Sequence, residues 1–201
     1  MTGSKQKQLL ADVLEGLPSI VFILLWRQSG DLELAGWAGA GLALIALAGL
    51  RYLRVHMNPV LLGVNFHLLL ATPVIWGLFQ AGLVETGRLF AAHAHGAVLL
   101  TVTVTGLFLS LFSRRGFLAA DLSPMLCRTA SAGMLILSSA GACWALLVPA
   151  QSFLAVIATL SVLILGRRFV LATWADRANH TRIGIVLGAS GGSFDTADMA
   201  A

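Results

Sequence analysis

Hydrophobic and polar positions divide this chain into six apolar runs joined by short polar links, at roughly 13–26, 34–50, 60–83, 89–112, 125–148 and 151–171. The last four reach the ~20 residues that an α-helix needs to cross a ~30 Å hydrocarbon core. The pattern predicts an all-α polytopic membrane protein, with six transmembrane helices in one compact bundle over residues 1–175. Residues 176–201 are polar and then Gly/Ser-rich, and are expected to form a largely disordered cytoplasmic tail.

The runs differ in character. The first is the weakest, with Asp12, Glu15 and Pro18 near its start. A cleaved signal peptide is its rival reading, since Lys5 and Lys7 supply a basic leader, but Trp26-Arg27-Gln28 is a poor cleavage site, so a retained helix is expected. The second run is rich in small residues, and Gly36 and Ala40, four apart, would let another helix approach closely. The third contains Pro73, which removes a backbone donor and kinks a helix. The fifth carries Ser131, Gly133, Ser138, Ser139 and Gly141, again a close-packing composition. Gly36, Ala40, Gly133 and Gly141 are therefore candidate helix-contact positions.

Charge orients the spans. Lys5, Lys7, Arg51, Arg54, Arg114, Arg115, Arg128, Arg167, Arg168, Arg177 and Arg182 fall on one side of the six-span arrangement, and only Arg27 and Arg88 on the other. Basic residues collect on the cytoplasmic side of short links, so both termini are expected in the cytoplasm. Trp26, Trp37, Trp76 and Trp144 fall toward the opposite side, as an aromatic belt does.

Composition narrows the class further. The chain has 201 residues, 58% hydrophobic and 11% charged, with a mean hydropathy of +0.87. Soluble domains carry about 25% charged residues. Six spans leave no length for a separate soluble catalytic domain. The pI near 9.8 does not point to nucleic acid, because the basic residues sit at helix ends, where they set topology and meet anionic lipid. Cys127 and Cys143 lie on one predicted helix, about 24 Å apart along its axis. A disulfide requires Cα atoms within about 7 Å, so they are expected as small apolar fillers.

Chemistry-bearing residues are few. His67 and His95 differ in expected depth by about 9 Å, so they do not flank one haem iron. His93 and His95 point about 200° apart on a helix and do not chelate as an i,i+4 pair would. No catalytic residue, cofactor site or metal site is expected. A polar layer is more informative. Asn58, Asn65 and Thr72 repeat every seven residues on one face of the third span, and His67 points nearly the opposite way. Thr101 and Thr103 of the fourth span fall at about the same depth. Asn65, His67, Thr72, Thr101 and Thr103 either tie helices together or line a small-solute or proton path. Asp12 and Glu15 are expected at the start of the first helix, favouring its dipole.

Three stretches carry a family resemblance. The segment LEGLPSIVFIL (Leu14–Leu24), the small-residue second helix, and LRYLRVHMNPVLLG (Leu50–Gly63) resemble the bacterial intracellular septation protein A family, the YciB-like inner-membrane-spanning proteins. The resemblance spans roughly residues 12–115. It implies a compact all-helical membrane body associated with cell-envelope synthesis and division, with no established reaction. The chain departs from that family at Glu85-Thr86-Gly87-Arg88, where a Lys-Pro element is expected, and in the fifth span, so no functional residue is carried over.

The leading expectation is a non-enzymatic inner-membrane protein that contacts lipid and integral-membrane envelope or division proteins. The alternative is a small-solute transporter or channel with a polar path between the third and fourth helices.

Overall fold

The structure, a computed structural model, describes residues 2–53, 57–113, 116–118, 124–147 and 153–190. Among these residues all regular structure is helical: α1 (Thr2–Ser29), α2 (Leu32–Tyr52), α3 (Pro59–Gln80), α4 (Val84–Phe112), α5 (Pro124–Leu147) and α6 (Phe153–Ser190). Five of them, α2 to α6, contain a stretch long and apolar enough to cross a membrane, which fits a multi-pass membrane protein. Only 22–33% of each such stretch is buried inside the protein. The outward faces are apolar as well, as at Leu44, Ile45, Phe108, Leu111, Ile136, Leu154 and Phe169. Water does not tolerate so much contiguous apolar surface, whereas hydrocarbon does. α1 is not among these five, and its apolar run carries Asp12, Glu15 and Arg27.

The turns follow from particular residues. α1 stops at Gly30, whose φ of 67° is readily adopted by glycine and whose N–H reaches Trp26 O at 2.9 Å. The next residue restarts the chain: Asp31 Oδ1 accepts from Glu33 N at 2.9 Å and Leu34 N at 3.0 Å, capping α2. Asn58 caps α3, and Pro59 takes the first helical turn, where its missing N–H is no loss. α3 closes on Gly82, φ 76°, with Gly82 N donating to Phe79 O at 3.1 Å and Leu83 N to Leu78 O at 3.0 Å. This paired closure satisfies two orphan carbonyls.

Boundaries shift accordingly. The third span ends at Gln80 rather than near residue 83, and α4 starts at Val84, five residues before the expected position. α6 runs on to Ser190, through most of the segment where composition predicts a largely disordered tail. Extending a formed helix adds one bond per residue fixed, so it is cheaper than starting one. Residues 191–201 lie outside the described residues.

The chain divides into two units, residues 1–164 and 165–201. In the first, α1 packs on α2 and α3, α2 on α3, α3 on α4, and α4 on α5. Leu99, Ala142 and Val156 join α4, α5 and the start of α6 in one buried cluster. At Gly63 an added Cβ would stand 2.6 Å from Val102 Cα, so α3 and α4 approach closely there only because the residue is glycine. The second unit is the continuation of α6 from Leu165, at whose start Phe169 is exposed.

Candidate functional site: polar groups between the helices

The five polar residues expected on a path fall into four separate contacts. Asn65 of α3 is fully buried and donates from Nδ2 to the backbone carbonyl of Glu15 in α1 at 3.1 Å. Thr72, two turns further along α3, fills the space in front of Gly36 of α2. His67 turns the other way, as the helical period requires, and its Nδ1 lies 3.2 Å from Thr101 Oγ1 of α4. Thr103 meets Ser138 of α5, with 2.6 Å between the hydroxyls. The structure thus brings His67 and Thr101 together and parts them from Asn65, Thr72 and Thr103.

Donor accounting orients two of these contacts. Thr101 Oγ1 gives its proton to Ala97 O at 2.9 Å, so it can only accept from His67. His67 Nδ1 therefore carries the ring proton, and Nε2 keeps its lone pair. Thr103 Oγ1 likewise donates to Leu99 O at 2.8 Å, so the Ser138 hydroxyl is the donor between them. Ser138 is fully buried, and Ser131 is nearly so, accepting from Phe117 N at 3.0 Å beside the left-handed Gly116. The sequence offered both serines as small residues of α5. Their role as partners depends on which helix lies opposite, and no spacing along one strand of sequence encodes that.

Glu15 corrects the reading of α1. The helix begins at Thr2, so Glu15 lies more than three turns inside it and not at its dipole end. It is 3% exposed, and its Oε1 accepts from the backbone N of Asn58 at 3.1 Å. The carboxylate thus serves the start of α3, where helix amides lack internal partners, rather than the start of its own helix.

Three of the four small-residue positions are occupied within the chain. An added Cβ at Gly36 would meet Thr72, Ala40 is buried, and a Cβ at Gly141 would collide with Thr159 of α6. Gly133 is different. A Cβ there meets nothing within 4 Å, and its neighbours Ala132, Ile136, Ala140 and Cys143 are exposed on the same side of α5.

Aromatic residues gather near the helix ends. The Trp37 and Trp76 rings meet edge-on at 6.2 Å, Phe22 stacks on Trp26 at 6.4 Å, and Trp26 meets His95 edge-on at 5.8 Å. His93 is exposed and bonds back to Leu89 O at 2.9 Å. His93 and His95 therefore turn to different surroundings, as the helical period predicts. Both cysteines are free thiols, Cys127 buried and Cys143 exposed. No family model, curated protein or solved structure matches the chain.

Proposed function

We propose that this chain is a non-enzymatic protein of the bacterial inner membrane that works through helix–helix contacts, in support of cell-envelope synthesis or septation. The carrying observation is the dispersal of its polar groups. Asn65, Thr72, His67 and Thr103 each engage a different helix, as ties between neighbours do. A solute path needs its polar groups on one lining, and only His67 and Thr101 share one contact. The transport reading therefore has less support than the scaffold reading.

In this proposal α1 is the sixth span, which completes a six-helix bundle with both termini cytoplasmic. Its packing on α2 and α3 and the enclosure of Glu15 support that place, and so does the sorting of basic residues. The partner class comes from the resemblance of residues 12–115 to the intracellular septation protein A family. The open face around Gly133 is the proposed contact surface.

Co-purification tests the proposal. The tagged full chain, crosslinked in cells and extracted in mild detergent, should enrich envelope-synthesis or division proteins. Gly133→Trp should abolish that enrichment while the variant still reaches the membrane. A chain that returns alone would count against the scaffold reading. Solute flux that His67→Leu abolishes would favour the transport reading instead.

A further inference from the structure

Several hydroxyls in these helices settle on their own backbone. Thr101, Thr103, Thr129 and Thr159 each donate to the carbonyl four residues back, at 2.9, 2.8, 3.0 and 2.7 Å. Ser19 of α1 is placed to do the same to Glu15. That carbonyl instead receives the Asn65 amide of α3 at 3.1 Å. Among the described residues, the buried Ser19 Oγ finds no hydrogen-bond partner, and neither does Asn65 Oδ1 on a side chain with 0% exposure. Reversing the Asn65 amide does not help, because Oδ1 would then face the Glu15 carbonyl, acceptor against acceptor. The same turn contains Pro18, which has no N–H, so the Leu14 carbonyl loses its helical donor.

These groups converge. Glu15 and Ser19 are one turn apart on the same side of α1. A helical carbonyl points toward the amide four residues on, so the Asn65 carboxamide bonded to Glu15 O lies against the turn from which Ser19 emerges. Oδ1 shares a carbon with the bonded Nδ2 and cannot be far from that turn. Burying such groups without partners is costly in a membrane interior.

We propose that this proline turn of α1 binds one small neutral hydrogen-bonding ligand, a single water molecule, between Ser19 Oγ and Asn65 Oδ1. The water accepts from the Ser19 hydroxyl and donates one proton to Oδ1. Its second proton is directed to the Leu14 carbonyl. A buried water needs two to four polar partners, and this site offers three. Proline-containing spans commonly recover lost bonds through neighbouring helices, hydroxyl side chains and ordered water. A cation is a poorer fit, since the Glu15 carboxylate is directed to Asn58 N, two helical turns before Asn65. The joint between α1 and α3 is then part protein and part solvent.

An experimental structure of the full chain in lipid nanodiscs, resolved well enough to show ordered water, tests this. A peak is expected at hydrogen-bond distance, about 2.7–3.2 Å, from both Ser19 Oγ and Asn65 Oδ1. Ser19→Ala is a good helix former and keeps the fold, and it should remove the peak while the Asn65–Glu15 bond stays. A Ser19 hydroxyl bonded directly to Asn65, Glu15 or Leu14 with no peak between them would overturn the proposal. So would a peak unchanged by Ser19→Ala, or one that appears in sodium but not in choline buffer.

Discussion

Single side chains decide which helices hold one another. Asn65→Leu removes the hydrogen bond that ties α3 to the Glu15 carbonyl of α1. Interhelical hydrogen bonds in membranes are worth about 0.6 kcal/mol on average and up to about 1.7, so a loss in that range is expected from reversible unfolding in mixed micelles. Two glycines of α5 should behave in opposite ways. Gly141→Val drives a side chain into Thr159 and should destabilise by about 1–3 kcal/mol. Gly133→Val points into open space and should leave stability within about 0.5 kcal/mol of the parent. The sequence showed that Asn65 and His67 point apart, because the helical period alone dictates it. It did not show that Asn65 meets α1, or that Thr103 meets Ser138. Those pairings depend on which helices are neighbours, and neighbour choice in apolar spans is set by close shape fit, which residue types encode weakly.

Whole helices were legible as apolar runs, and their ends less so. The run from Val60 to Leu83 is apolar almost throughout, so hydropathy has no reason to stop at Gln80. Gly82 is the stop signal, and it acts through backbone conformation rather than polarity. Gly82→Ala places a Cβ in a left-handed conformation and should cost about 1–2 kcal/mol. Thermal unfolding in detergent would show it, and an unchanged midpoint would contradict the role given to the turn. Asp31→Ala removes the cap of α2 and should cost about 0.5–2 kcal/mol in the same assay. The far end of α6 misled for another reason. The polar sequence after Ala175 lacks a core-facing stripe, but a helix already formed through the preceding span propagates into it.

At the scale of the molecule, five apolar helices fit a multi-pass membrane protein, and the proposed sixth decides the topology. If α1 spans, reporter fusions should place the N- and C-terminal ends on the same, cytoplasmic side. Opposite sides would remove α1 from the bundle and undo the charge argument. The central claim is that the chain works by presenting a helix face to another membrane protein. Site-specific photocrosslinking in cells tests this most directly, with the photoreactive residue placed in turn at position 133 on the open face of α5 and at position 45 on α2, where Ile45 is also exposed. The account predicts a discrete crosslinked protein from position 133 and only diffuse lipid adducts from position 45. Lipid adducts alone from both positions would contradict it.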